Sequence, residues 1–238
     1  MEPRASAPPP ASPPEGGLLA LRAAWPAVLA ALLLRGAAYA AMIAAAVWNE
    51  LRPAPTLPDL VLARIPYSEA VAGANYLLWL LAYLPLAAAL LWTSPRRFVR
   101  YNVTGALVSL ARGATLLVTG LGAPDPLRAG PGIGGRAPGQ AFLELISPWQ
   151  VFAHSSMRAY LTKDLFFSGH TATTFLLLLY VWRWPRLRWP ALAGHVLVVA
   201  SVFLAHLHYT IDVLGAYAVA FALYALREGW PAGARRVA

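Results

Sequence analysis

Long apolar runs, most of them closed by tryptophan or arginine, alternate with polar turns along this chain. A helix needs about 20 apolar residues to cross a bilayer, and the pattern predicts six such helices. They run from about Trp25 to Trp48, Asn75 to Trp92, Tyr101 to Leu121, Gly169 to Trp184, Trp189 to His206 and Ile211 to Arg227. The fourth is short, which suggests that its helix begins earlier. Trp25, Trp48, Trp92, Trp182, Trp184 and Trp189 fall at the expected ends, where an interfacial aromatic belt sits. Residues 141–160 mix apolar and polar positions and read as interfacial or re-entrant. Segment 122–137 is rich in Gly and Pro and reads as a flexible loop.

The Pro-rich residues 1–17 read as a disordered cytosolic tail. Ala38-Tyr39-Ala40 resembles a signal-peptide cleavage site. However, the start is long and Pro-rich, Arg35 interrupts the apolar core, and apolarity continues to Trp48, so the first run is read as a span. The expected organisation is a tail over 1–17, a membrane domain over 18–228, and a cytosolic C-terminal tail over 229–238. The expected fold class is all-α: a polytopic membrane protein, built as a six-helix transmembrane bundle with an extracytoplasmic active site.

Composition agrees. Hydrophobic residues make up 59% of the 238 and charged residues 12%, against roughly 25% charged in soluble domains. Mean hydropathy is +0.56. These values exclude a soluble globule as the leading reading, and they exclude disorder, which needs low hydrophobicity. Cysteine is absent, so no disulfide scaffold exists and the redox compartment is not legible.

The net charge of +9 changes the picture less than it would in a soluble protein. All but one of the 19 cations are arginine, and no basic stripe is interleaved with exposed aromatics, so nucleic acid is not an expected partner. Many of the arginines close apolar runs. Arg96, Arg97 and Arg100, then Arg183, Arg186 and Arg188, then Arg227, Arg235 and Arg236 all fall on one side of six alternating spans, together with Arg4 and Arg22. By the positive-inside rule that side is cytoplasmic. Segments 49–74 and 122–167 and the turn near His208 are then extracytoplasmic. The Arg-rich, Ala-rich composition fits a GC-rich bacterial genome, so a bacterial inner membrane is expected, with the site on the periplasmic face and both termini cytoplasmic.

Chemistry collects at that outer face. His170 opens the fourth span in Ser168-Gly169-His170-Thr171, and His208 and Asp212 flank the last turn in His208-Tyr209-Thr210-Ile211-Asp212. The i,i+4 spacing puts His208 and Asp212 on one face if the turn is helical. The carboxylate then accepts the Nδ1 proton, fixes the tautomer and leaves Nε2 free to attack. A second histidine within reach supplies the general acid and base. Ionisable groups at membrane depth default to function. The bland alternative is a His–Asp pair that only neutralises itself at a helix turn.

Asp164-Leu165-Phe166-Phe167-Ser168-Gly169-His170-Thr171 resembles the Asp-x3-Ser-Gly-His-Thr motif of the sphingomyelin synthase family. His208-Tyr209-Thr210-Ile211-Asp212-Val213, with Tyr217, resembles its His-Tyr-Thr-x-Asp-Val-x3-Tyr motif. Leu57-Pro58-Asp59 is similar to its Pro-Leu-Pro-Asp element, and Arg112, Thr119 and Pro124-Asp125-Pro126 to its Arg-x6-Thr…Pro-x-Pro element. The resemblance spans about residues 50–225. That family is a branch of the lipid phosphate phosphatase superfamily. The resemblance implies that His208 is a nucleophile forming a phospho-histidine, that Asp212 orients it, and that His170 protonates the leaving alcohol and then activates the acceptor. It brings in Asp164, Ser168, Gly169, Arg112, Tyr209 and Asp59 as substrate-binding candidates.

The lipid phosphate phosphatases carry a Lys-x6-Arg-Pro motif that this chain lacks. They also have an Arg six residues before the nucleophile, where Val202 stands here, and a Pro where Phe167 precedes Ser-Gly-His. Their cations neutralise a phosphate monoester, which carries close to two charges. A phosphodiester carries one, so fewer cations suit a diester donor, with Arg112 as the candidate counter-charge or else paired to a carboxylate.

The expected function is therefore an integral membrane lipid phosphotransferase or phosphodiesterase. It takes a phospho-headgroup from a glycerophospholipid donor and passes it to a ceramide- or diacylglycerol-like alcohol, or to water. A lipid phosphate phosphatase is one alternative, and a non-enzymatic transporter or sensor is the other. No cofactor and no metal are expected, because His206, His208 and Asp212 form no tidy ligand set. The bilayer and the two lipids are the expected partners. Homo-oligomerisation, and the roles of His206, His154 and Glu144, are left open. His195 is expected to be a packed or hydrogen-bonded core residue, and Gly105, Gly113 and Gly120 helix-packing positions.

Overall fold

A computed structural model describes residues 16–147 and 161–229. His154 and most of the two predicted tails lie outside these residues. The described chain is all-helical. Its helices are α1 (Leu18–Glu50), α2 (Glu69–Thr93), α3 (Pro95–Val118), α4 (Pro138–Ile146), α5 (Gly169–Val181), α6 (Pro185–Leu204) and α7 (Thr210–Glu228), with a 3-10 turn at Leu62–Arg64.

Four helices are long and apolar enough to cross a membrane: α1, α2, α6 and α7. The six runs of the sequence each have a helix, but two fall short of that standard. The first is α5, which has 13 residues and starts at Gly169 rather than earlier, because Ser168 caps it by accepting the Thr171 N–H. The second is α3, which is long but carries Asn102, Thr104, Ser109 and Arg112. These polar side chains are buried in the bundle. A helix that faces protein on most sides is not required to be apolar, and α3 is such a helix, packed against α1, α2, α5 and α7.

The outer helices show the opposite pattern. Leu33, Leu81, Leu84 and Leu214 are all more than half exposed. So large an apolar surface fits hydrocarbon, not water. Trp48, Trp92, Trp182 and Trp189 are also exposed near helix ends, and Trp25 is exposed about two turns into α1. With 33 residues, α1 is about 50 Å long and exceeds a hydrocarbon core of about 30 Å.

Small residues let the central helices approach. A Cβ on Gly113 would come within 3.2 Å of the Met42 backbone, so α1 and α3 touch there. Gly105 has a different occupant, because the guanidinium of Arg35 lies against its backbone. Between helices α5, α6 and α7, His195 bridges the Thr174 and Tyr217 hydroxyls at 2.8 Å on each side. It is the hydrogen-bonded core residue expected of it.

At one end of the bundle the connecting segments are tied by Asp59 and Tyr209. The Asp59 carboxylate accepts from the Val61 and Leu62 N–H groups at 3.0 Å and from the Thr210 N–H at 2.6 Å. It thereby caps the 3-10 turn and α7 together. The Tyr209 hydroxyl accepts from the Leu57 N–H at 3.0 Å and donates to the Gly122 carbonyl at 2.9 Å.

Candidate active site

The chain enters α7 through a turn that carries His208. The spacing of His208 and Asp212 suggested a shared helical face, but the helix begins only at Thr210. The two meet because Asp212, in the first turn, reaches back over the helix start. Its Oδ2 accepts from the Tyr209 N–H at 2.9 Å and lies 3.2 Å from His208 Nδ1. One carboxylate thus caps the helix and holds the imidazole, and the positive end of the helix dipole favours its charge there. Asp212 is fully buried and His208 is 5% exposed. With Nδ1 donating to the carboxylate, the free lone pair of His208 is on Nε2.

The turn before His208 is itself braced. His206 takes a left-handed φ of 47°. Its ring contacts the Ile65 carbonyl at 2.9 Å and the Asp125 carboxylate at 3.4 Å, and packs edge-on to Tyr67. Burial tends to raise the Asp125 carboxyl, but Arg128 and His206 outweigh it and hold the group below its usual range. Glu144 sits on α4 against Gln140 and does not line the cavity.

On the facing side, Ser168 N–H donates to the Asp212 carbonyl at 3.0 Å, which joins the start of α5 to the start of α7. Arg112 reaches up from α3 beneath this junction. It donates to the Phe167 and Asp164 carbonyls and forms an ion pair with Asp164 at 2.9 Å. Thr115 donates to the Phe166 carbonyl at 2.9 Å. The approach at Gly169 is close: a Cβ would come within 3.3 Å of the guanidinium carbon of Arg112, which would have to give way. The segment before His170 is therefore held from below by one helix.

Between these elements is a cavity of about 520 Å³. Its lining includes His170, His208, Arg112, Asp164 and Gly169, with apolar and aromatic walls from α1 and α2. Trp79 meets the His170 ring edge-on at 5.7 Å and stacks on Tyr83 at 5.2 Å. Asp59, Ser168 and Tyr209 are not among the lining residues; each holds backbone around the cavity instead. Among the described residues, no group of three or more His, Asp or Glu is arranged to hold a metal ion.

Sequence reasoning missed several residues that brace the site. Glu50, at the end of α1, accepts from the Lys163 N–H at 2.9 Å, and Asn49 donates to the Lys163 carbonyl at 2.7 Å. Arg52 caps the last carbonyls of α3 at Leu116 and Leu117. Residue type gave a weak signal: Asn, Glu and Arg in close succession end an apolar run, which reads equally well as a solvated helix end.

Residues 163–228 match the family model described as PAP2 superfamily C-terminal. The match covers the segment with His170, His208, Asp164 and Asp212, and it supports the PAP2-related superfamily, whose members are phosphatases and phosphotransferases. No curated protein matches the chain.

Proposed function

We propose that the protein is a membrane lipid phosphotransferase or phosphodiesterase working on a phosphodiester donor, with all six helical runs crossing the bilayer and the site on the extracytoplasmic side. The observation that carries this reading is the buried His208–Asp212 pair opening, with His170, onto an apolar cavity. His208 Nε2 attacks phosphorus and the bond to the glycerolipid oxygen breaks. His170 gives that oxygen its proton, and diacylglycerol leaves. His170, now neutral, takes the proton of an incoming lipid alcohol or water, whose oxygen attacks the phospho-histidine and restores His208. Asp212 keeps Nδ1 protonated and stabilises the charge on the ring.

Charge supports a diester. The guanidinium of Arg112 is already neutralised by Asp164, so it adds little net counter-charge for a dianionic monoester. Ser168, Gly169, Tyr209 and Asp59 act through the backbone they fix.

The test uses purified protein in detergent with phospholipid donors and fluorescent ceramide or diacylglycerol, read by mass spectrometry. A headgroup-bearing product that disappears in His208→Ala is expected. Turnover that survives in that variant overturns the assignment. Release of inorganic phosphate from phosphatidic acid, without headgroup transfer, would make the protein a phosphatase instead.

A further inference from the structure

The cavity has a second cation that the chemistry above does not use. Arg35 lies midway along α1 and lines the cavity. Among the described residues it has no carboxylate partner, and its buried Nη1 has no hydrogen-bond partner. Its guanidinium rests in a niche that exists because residue 105 is glycine, since a Cβ there would overlap Nη1. An arginine stays charged at any physiological pH, and an unpaired charge in a membrane interior is costly. Its position is also fixed relative to the reacting groups. Met42 touches Arg112 at 3.3 Å while Arg35 touches Gly105, so the two helices run parallel there, seven residues apart in both. At 1.5 Å per residue, Arg35 sits about 10 Å deeper along the helices than Arg112.

The lateral walls explain what arrives at that depth. Leu32, Gly36 and Tyr39 of α1 face Tyr76, Trp79 and Tyr83 of α2 across the cavity. These two helices touch each other at few points, although both pack on neighbours. A lipid can therefore lie between them with its polar end at His170 and its chains toward the bilayer. Below the phosphate or reacting hydroxyl of such a lipid lie the linkages to its acyl chains, with their carbonyl oxygens. Those oxygens are acceptors only, and Arg35 offers donors only.

We infer that Arg35 is a specificity-determining residue that binds an acyl carbonyl oxygen, ester or amide, of the lipid held at His170 and His208, and so selects acylated over ether-linked lipids. This rests on the cavity being a lipid site, as proposed above, but its test does not need turnover. Detergent-purified protein is titrated with short-chain diacyl and dialkyl-ether phospholipids, and in parallel with short-chain diacylglycerol and its dialkyl-ether analogue, a pair in which both members are neutral. Binding is followed by tryptophan fluorescence, and Trp79→Phe identifies the signal from the cavity.

A hydrogen bond from a charged donor predicts a preference of about tenfold to a hundredfold for the carbonyl-bearing lipid. Arg35→Gln removes that preference. Gly105→Ala removes it as well, by pushing the guanidinium from its niche while keeping the charge and a good helix former. Which of the two lipid pairs loses discrimination tells whether the donor or the acceptor supplies the carbonyl. Equal binding of both lipids by the parent protein overturns the inference, as does a preference that survives Arg35→Gln. Loss of all phospholipid binding in a folded Arg35→Gln protein also overturns it, because Arg35 would then hold phosphate. A carbonyl preference with no turnover of any phospholipid would leave this inference standing and remove the catalytic one.

Discussion

A single oxygen of Asp212 serves two donors, the Tyr209 N–H and the His208 ring. Asparagine retains one acceptor oxygen but loses the charge that matches an imidazolium. Asp212→Asn should lower turnover by about 10²- to 10⁴-fold while the protein still folds. Steady-state rates beside a thermal melt check this, and a loss under tenfold would remove the orienting role. Gly169→Ala tests the neighbouring support, because its Cβ would press on Arg112 at 3.3 Å. Turnover should fall more than thermal stability, as the displaced guanidinium loosens its ion pair with Asp164. His208 and Asp212 stood out as candidates because they lie close along the chain, and His170 because it sits in a short motif of its own. Arg35 was visible only as an interruption of an apolar run. Its niche depends on Gly105, and nothing local links those two positions.

At the scale of elements, Asp59 holds two helix starts at once. Burial alone would raise its carboxyl, but hydrogen bonds from the Leu62 and Thr210 N–H groups, the Thr210 hydroxyl and the Val61 N–H outweigh it and keep it below its ordinary 3.8. A lowered carboxyl contributes stability that is fully present above pH 3.8 and is lost as pH falls through the lowered value. Thermal midpoints measured against pH should therefore drop on the acid side in the parent protein. They should drop less in Asp59→Asn, which begins lower at pH 7. Asp59→Ala should cost about 1–3 kcal/mol at neutral pH, measured by denaturation. Most of the helices were legible because apolar runs fix them. The start of α7 was legible too, within one residue of Ile211, whereas its ties to Asp59 in another segment and to Asp212 folding back were not, because spacing within one segment carries no sign of them.

At the scale of the molecule, the absence of cysteine makes any engineered one unique. A cysteine placed in 122–137 should react with an impermeant thiol reagent in intact cells. Labelling only after permeabilisation would turn the protein over in the membrane. The overall class was legible because composition reports the surrounding solvent, and exposed leucine on α1, α2 and α7 shows that solvent to be apolar. That same logic gives a weaker signal for α3, whose surroundings are protein: its apolar run is read only from Tyr101, and the helix begins at Pro95. Only Ser94 separates α3 from α2. On the proposed six-span topology, α3 is a poor substrate for insertion on its own merits and would enter the bilayer as the second arm of a hairpin whose first arm supplies the hydrophobic drive. Translation products that stop just after α3 should be integrated when α2 is intact, and should be left unintegrated when α2 is replaced by a polar linker.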